Sequence, residues 1–201
     1  MPVAIRGAFI TAGTLSFLAG TVTGLFLTLV PSYLLKLTGS TNLALAGGAV
    51  ALMFGASAAT QRLAYGRSEV SLRLGGLALM LAGFVLLILA GAAGSLALLL
   101  AATLIAGVGQ GLAFLAAITE INQAAPPQRR ADVLSSFYVV TYLGTGVPVI
   151  GVGFLATAIG LLAAVQYVAA VWGGACLLVL AIQAVLHARG GHTDFSAQPT
   201  A

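Results

Sequence analysis

Residues 74–119 read LGGLALMLAGFVLLILAGAAGSLALLLAATLIAGVGQGLAFLAAIT, a run of 46 residues without a charged side chain. A second charge-free run of 54 residues extends from Val133 to Leu186. A helix needs about 20 apolar residues to cross a bilayer, so each run is too long for one crossing and long enough for two. Two shorter stretches, Ala8–Leu35 and Leu37–Gln61, each allow one more crossing. The sequence therefore predicts an all-α integral membrane protein with six spanning helices.

The composition of the 201-residue chain excludes an ordinary soluble domain. Hydrophobic residues make up 60% of it and charged residues only 6%, whereas soluble domains carry about 25% charged residues. The net charge of +4 does not indicate a nucleic-acid partner, because the basic residues are scattered and form no stripe interleaved with aromatic residues. The partner that this composition indicates is the lipid bilayer.

The sequence contains no enzyme motif. It lacks a nucleophile–base–acid set and a phosphate-cradling Gly-x-x-x-x-Gly-Lys-Ser/Thr sequence. Cys176 is the only cysteine, and His187 and His192 lie in the polar tail, so no metal site is expected. We therefore expect a protein that is not an enzyme and that holds no cofactor or metal ion.

Polar segments divide the chain into a six-span bundle, residues 1–187, and a cytoplasmic tail, residues 188–201, for which we expect disorder. The predicted spans are residues 8–35, 43–61, 74–91, 96–119, 133–157 and 161–186. The boundary between the last two is the weakest, since little polar sequence marks it. The loops after spans two and four carry the predicted cytoplasmic loop residues Arg62, Arg67, Glu120, Arg129 and Arg130.

The basic residues predict the orientation of the bundle. With the N-terminus in the cytoplasm, only Lys36 lies outside, and seven arginines lie inside: Arg6, Arg62, Arg67, Arg73, Arg129, Arg130 and Arg189. Cytoplasmic loops of membrane proteins carry an excess of lysine and arginine. The sequence thus predicts that both termini face the cytoplasm, and we expect a multi-pass protein of the cell membrane, specifically a bacterial inner membrane.

Glycines recur at the spacing of helix contacts. Gly20 and Gly24 in span one, and Gly107 and Gly111 in span four, stand four residues apart. Small residues at this spacing let helix backbones approach closely in lipid, where no hydrophobic effect drives helices together. The sequence therefore predicts helix packing at these glycines.

Span five places glycines around a proline near mid-membrane, and the residues concerned are Gly144, Gly146, Pro148, Gly151 and Gly153. Pro148 has no N–H to donate to the carbonyl of Gly144, so a bend or a soft point is expected there. A static kink and a moving hinge that takes part in gating both fit this pattern. Such bends are tolerated where they are packed in protein or line a cavity.

Three features, taken in order, resemble the carboxy-terminal six-span half of a major facilitator superfamily transporter. They are GVGQG at 107–111, PPQRRA at 126–131 leading into Ser135-Ser136, and span five from Tyr142 to Gly153, followed by Gly160. The resemblance implies 3+3 inverted helical repeats, a cavity lined by spans one, two, four and five, and transport by alternating access. The loop after span two departs from the family, which has an acidic residue beside its arginine where this chain has Gln61 before Arg62.

The chain supplies one six-span half, whereas the family is built from two halves around a central cavity. The resemblance therefore implies a partner, either a separate six-span half or a second copy of this chain as a homodimer. The chain could be a half-size gene product, a truncated gene or an excised fragment.

Polar residues inside the spans are the candidates for substrate binding, because polar groups at membrane depth are costly and usually functional. Gln110 stands mid-span between two glycines, and its amide offers two donors and an acceptor. An interhelical hydrogen bond is its alternative role. One face of span five carries Tyr138, Thr141, Tyr142 and Thr145. In span one Thr14, Thr21 and Thr28 repeat every seven residues, so Thr21 is added as a weaker candidate.

No charged side chain lies deep in a predicted span. Glu120, at the predicted cytoplasmic end of span four, is expected to pair with Arg129 or Arg130 rather than to carry protons. If transport is proton-coupled, the coupling carboxylate would then lie in a second half.

The function that the sequence predicts is transmembrane transport of a small solute by one half of a secondary active transporter. Its neutral and aromatic interior groups suit an uncharged or amphipathic solute. The alternatives are a non-transporting assembly or scaffold protein, an inactive truncated transporter fragment and, third, a channel, for which no charged ring suggests a selectivity filter.

Overall fold

Six long helices account for almost all of the structure. The computed structural model describes residues 3–39 and 43–190, and these contain no β-strand. The helices are α1 (Val3–Thr38), α2 (Leu43–Leu63), α3 (Glu69–Ala93), α4 (Leu96–Ala124), α5 (Arg130–Ile159) and α6 (Leu161–Gly190), with one 3₁₀ turn at Pro127–Arg129. All six are long and apolar enough to cross a membrane. The prediction of an all-α fold with six helices of membrane-spanning length and composition is confirmed.

The helices extend past the charge-free spans on which the predicted boundaries rest. α3 begins at Glu69, not at residue 74, and α4 continues to Ala124, not to residue 119. Charged side chains near the end of a spanning helix can reach the polar interface, so they do not end the helix. α6 continues to Gly190, past residue 188, at which the predicted tail begins. The remainder of that tail, residues 191–201, and the predicted turn at residues 40–42 lie outside the described residues.

Two very short connections separate neighbouring spans. Gly94 ends α3 in the left-handed conformation (φ 60°), and the Ser95 side chain then accepts a hydrogen bond from the backbone N–H of Leu98 to begin α4. Gly160, with φ 85°, is the only residue between α5 and α6. A positive φ favours glycine, because its missing Cβ removes the steric clash. This explains why so little polar sequence marks the last boundary.

Glycines join the helices into two parallel pairs, as their spacing predicts. A Cβ on Gly20 or Gly24 of α1 would collide with the backbone carbonyls of Thr141 and Thr145 of α5. In α4, a Cβ on Gly107 would lie 2.6 Å from the carbonyl oxygen of Met53 in α2. Gly111 approaches Ser57 of α2 in the same way, at 2.7 Å. In both pairs the residue numbers of the two contacting helices rise together, so α1 runs parallel to α5 and α2 runs parallel to α4.

The contact between α3 and α4 is antiparallel and also rests on small residues. A Cβ on Gly76 would lie 2.6 Å from the backbone nitrogen of Ala113, and one on Gly83 would lie 2.7 Å from the Cβ of Ala106. Here the residue number in one helix rises as that in the other falls. α6 packs on the other side of α3, so α3 lies between α4 and α6.

α1 is the most enclosed helix of the bundle. In its most apolar 18-residue window 72% of residues are buried, against 17% in the corresponding windows of α2 and α5. Its buried side chains include Leu15, Phe26 and Tyr33, and it packs against both α4 and α5. Large apolar side chains on the outer faces of α2, α5 and α6 are exposed, as expected of surfaces that meet lipid.

Candidate functional site

A cavity of about 320 Å³ lies among four helices, α1, α2, α4 and α5. Five of the six predicted substrate-binding residues line it, namely Gln110, Tyr138, Thr141, Tyr142 and Thr145. They come together because the two glycine-joined helix pairs meet here, with Gly20 of α1 and Ser57 of α2 also in the wall. We call this space the polar cavity.

The polar cavity extends from the middle of the bundle towards the end at which α2 ends. Gln110 is the central residue of α4, about 21 Å from either end of that helix at 1.5 Å per residue. Gln61, in contrast, lies two residues before the last residue of α2 and next to Arg62. Any polar group of the wall that meets lipid needs a hydrogen-bond partner in another wall residue, a bound solute or a covering partner.

A short chain of hydrogen bonds links α2 to α4 inside the cavity. The hydroxyl of Ser57, which is buried, donates to Oε1 of Gln110 at 2.6 Å. Nε2 of Gln61, one turn further along α2, donates to the Ser57 hydroxyl oxygen at 3.0 Å. Gln110 thus makes the interhelical bond that its alternative role anticipates, and it also lines the cavity.

The threonine hydroxyls of the wall have already used their protons. Thr141 donates to the carbonyl oxygen of Phe137 at 3.0 Å, and Thr145 donates to that of Thr141 at 3.1 Å. Thr23 of α1 donates to the carbonyl oxygen of Ala19 at 3.0 Å. Each hydroxyl has a single proton, so these residues offer only acceptor lone pairs and methyl groups to the cavity.

Aromatic rings form the other part of the wall. The ring centroids of Tyr138 and Tyr142 lie 6.4 Å apart, and Tyr138 meets Phe137 edge-on at 5.7 Å. Phe137 in turn lies 6.1 Å from Phe114 of α4. Tyr142 is 71% exposed, so the row of rings leads from the buried α4–α5 contact to the open side of the cavity.

Five wall residues that carry polar or aromatic groups were not predicted as site residues: Thr23 of α1, Phe54, Ser57 and Gln61 of α2, and Phe114 of α4. The signal for two of them was present, because Ser57 and Gln61 stand at i and i+4 and share one helix face. Gln61 was instead interpreted as the end of span two and as a departure from the family's loop. Phe54 carries no such signal, since an aromatic residue in an apolar span is ordinary.

Thr21, the sixth predicted residue, lies outside the polar cavity. Its side chain is buried between α1 and α5, and its hydroxyl lies 3.0 Å from the carbonyl oxygen of Phe17 and 3.1 Å from that of Gly144. Thr14 and Thr28 are exposed and do not line the cavity. The α1 threonine that does line the cavity is Thr23, two residues after Thr21.

The predicted hinge residues of span five fall on different sides of α5, which remains one helix through Pro148. Gly144 and Pro148 are buried, and a Cβ on Gly144 would collide with the backbone carbonyl of Phe17. Around Gly146 and Gly151, in contrast, no atom lies within 4 Å of the added Cβ position. Gly144 is therefore a packing glycine, while Gly146 and Gly151 face outward.

A second polar cluster lies at the end of the bundle where Arg62, Arg67, Arg73, Arg129 and Arg130 are found, which we call the arginine-rich end. Arg73 of α3 donates from Nη2 to Glu120 of α4 at 2.8 Å and from Nη1 to Gln183 of α6 at 3.1 Å. The side chains of Arg73 and Glu120 are only 17% and 16% exposed.

The predicted pairing of Glu120 with Arg129 or Arg130 is wrong. Arg130 donates instead to the backbone carbonyl of Asn122 at 2.7 Å, and within residues 3–39 and 43–190 neither Arg62, Arg67 nor Arg129 forms an ion pair. The physical reason is the antiparallel packing of α3 on α4, which brings the first turns of α3 beside the last turns of α4. Arg73, the partner of Glu120, is distant from it in sequence, so the closeness of Arg129 and Arg130 along the chain did not indicate the ion pair.

Comparison with known proteins gives this site no counterpart. The sequence matches no model of a protein family and no curated protein. The role of the polar cavity must therefore follow from its own geometry and chemistry.

Proposed function

We propose that the chain is one half of a secondary transporter of the major facilitator type, and that the polar cavity is its solute site. The observation that carries the proposal is the convergence of neutral polar and aromatic side chains from four helices on one cavity, with Gln110 at the middle of α4 in its wall. Such groups are costly in hydrocarbon unless they serve a purpose. An uncharged or amphipathic solute suits a wall without charged residues.

The helix arrangement supports an inverted-repeat architecture. If α1–α3 and α4–α6 are equivalent triplets, then α1 corresponds to α4 and α2 to α5. The α1–α5 contact then corresponds to the α4–α2 contact, and both are parallel. Both also use two glycines four residues apart on the first helix of a triplet, Gly20 and Gly24 or Gly107 and Gly111. The polar cavity lies between these two contacts, among the four helices that the resemblance implies.

A partner is part of the proposal. The cavity is open beside Tyr142, which is 71% exposed, so in lipid its polar groups would meet hydrocarbon chains. A second six-span bundle, either a separate half or a second copy of this chain, would cover that side. Alternating access also needs one bundle to rock against another around a midplane site.

The test is solute uptake by proteoliposomes with and without the candidate second half. Gln110→Leu and Tyr142→Phe should alter substrate preference or affinity while the amount of folded protein stays normal. The matched controls are Gln166→Leu and Tyr167→Phe, since both residues lie on α6 outside the cavity and Tyr167 is 64% exposed. If the cavity and control variants change uptake equally, the cavity is not the solute site.

A further inference from the structure

The hydrogen-bond direction of the polar cavity is set by one buried serine. The Ser57 hydroxyl has a single proton and donates it to Oε1 of Gln110 at 2.6 Å. Its oxygen accepts from Nε2 of Gln61 at 3.0 Å. The oxygen of the Gln110 amide is therefore occupied, which fixes the orientation of the amide plane.

The other end of the Gln110 amide is free to bind a ligand. Nε2 of Gln110 makes no hydrogen bond to any of the described residues, and it carries two N–H groups. The hydroxyls of the wall threonines donate to carbonyls of their own helices and have no proton left for a ligand. Gln110 thus presents two N–H donors to the cavity, and Gln61 keeps one N–H and its amide oxygen. The two tyrosine hydroxyls can act as donor or acceptor.

Flat rings limit the shape of what can bind beside this donor. Phe54 and Phe114 line the cavity together with Tyr138 and Tyr142, whose rings are inclined by only 32° to each other. Aromatic groups prefer offset-stacked or edge-to-face contacts with such rings. A volume of about 320 Å³ is at the small end of ligand sites, which span about 300–1,000 Å³. No charged side chain lines the wall, so an ionic ligand would lack a partner.

We propose that the polar cavity binds an uncharged, planar aromatic compound of about two or three fused rings that carries a carbonyl oxygen. The carbonyl accepts from Nε2 of Gln110, and the ring system packs against Tyr138 and Tyr142. Ser57 is a positioning residue, because it holds the amide so that its donors face the ligand. This assignment rests on the proposed function only in taking the cavity as the solute site.

Binding of matched compounds to the full chain in nanodiscs tests the ligand class. The probes are coumarin and acridone, and their planar carbonyl-free analogues are naphthalene and carbazole. Affinity is measured by calorimetry with empty nanodiscs subtracted, because all four compounds partition into lipid. We expect each carbonyl compound to bind about fivefold to tenfold more tightly than its analogue, the contribution of one hydrogen bond.

Variants then assign the preference to named atoms. Gln110→Leu should abolish the preference for the carbonyl compound, and Ser57→Ala should reduce it at least about threefold while the affinity for naphthalene stays the same. The controls are Gln166→Leu and Ser16→Ala, since Ser16 is also a buried serine but bonds to Gly13 on α1. Neither control should change the preference.

Each outcome bears on the assignment. Equal affinity of the wild-type protein for the members of each pair, absence of binding by all four compounds, or a preference that survives Gln110→Leu would overturn it. The wild-type comparison needs no variant, so misfolding of a variant cannot hide a failure. Flux in proteoliposomes is measured separately. Selective binding without flux would support the ligand assignment and count against transport. Flux of other solutes without binding of aromatic compounds would support transport and count against the ligand assignment.

Discussion

The hydroxyl of Thr21 on α1 lies 3.1 Å from the carbonyl oxygen of Gly144 on α5, at the one peptide that Pro148 deprives of its helical donor. In a regular helix the N–H of residue 148 would bond to this carbonyl. In lipid an unsatisfied backbone carbonyl raises the free energy of the folded protein by several kcal/mol. The Thr21 hydroxyl lies within hydrogen-bond distance of both this carbonyl and the carbonyl of Phe17 on its own helix, at 3.0 Å, so its single proton can replace the missing N–H. This explains why a predicted ligand residue is buried in a helix contact.

The first prediction concerns this bond. Thr21→Val keeps the shape of the side chain but removes the hydroxyl, so the free energy of unfolding should fall by about 1–2 kcal/mol. In a Pro148→Ala background the helix regains its own donor, and the same substitution should cost less than about 0.5 kcal/mol. Unfolding in mixed micelles can be followed through Trp172, whose ring centroid lies 5.9 Å from that of Phe17 of α1. Equal costs in both backgrounds would contradict the proposed substitution of donors.

The second prediction concerns close helix approach. Gly24→Ala should lower the free energy of unfolding by about 1–3 kcal/mol, because its Cβ would collide with the carbonyl of Thr145 and push α1 from α5. Gly151→Ala is the matched control, since its Cβ would meet no atom within 4 Å. There alanine should be neutral or stabilise the helix by up to about 1 kcal/mol. If the two substitutions have the same effect, the α1–α5 contact is not as close as described.

The third prediction concerns the ion pair at the arginine-rich end. Glu120→Gln leaves the largely buried guanidinium of Arg73 without its counter-charge, and should lower the free energy of unfolding by about 1–3 kcal/mol. Arg130→Gln removes only an exposed bond to a backbone carbonyl and should cost no more than about 0.5 kcal/mol. Exchanging the charges in Arg73→Glu with Glu120→Arg should restore part of the loss. Failure of the exchange together with a mild Glu120→Gln effect would refute the pairing.

The fourth prediction concerns orientation. Cysteines placed at Ala93 and Thr157 lie at the end opposite the arginines and should react with an impermeant thiol reagent added outside intact cells. A cysteine at Gln128, in the turn between α4 and α5, should not react. The native Cys176 is fully buried, so it should contribute little background. Labelling of Gln128→Cys from outside would reverse the predicted orientation.

The fifth prediction concerns assembly. The open polar cavity should be covered by another bundle, so the protein purified in detergent should be a dimer or a complex, or be poorly stable as a monomer. Light scattering with the detergent contribution subtracted measures the protein mass directly. A stable monomer that moves solute in liposomes would count against the half-transporter proposal.

Sequence patterning could predict the helices and most of the cavity residues, because both depend on local spacing. Charge-free length gives the number of spans, and the i, i+3, i+4, i+7 spacing from Tyr138 to Thr145 puts four side chains on one face of α5. The same patterning could not predict which helices come into contact. The seven-residue repeat that includes Thr21 does not say which helix that face will meet. The partner of Glu120 is Arg73, 47 residues away, and only the antiparallel packing of α3 on α4 brings them together.

The enclosure of α1 has a consequence for biogenesis. α1 is made before the other five helices, yet α5, one of its main partners, begins about 100 residues later, a delay of roughly 5–20 s at ordinary rates of synthesis. During that interval α1 must reside in the bilayer without α5. The hydroxyls of α1 do not need α5 to be satisfied in lipid, because Thr23 and Thr28 donate to carbonyls of their own helix, at 3.0 and 2.8 Å. Thr21 also lies 3.0 Å from the carbonyl oxygen of Phe17, so its hydroxyl has an acceptor on α1 until Gly144 arrives. We expect α1 to insert as an independent span and to be surrounded only when α4 and α5 have entered the membrane.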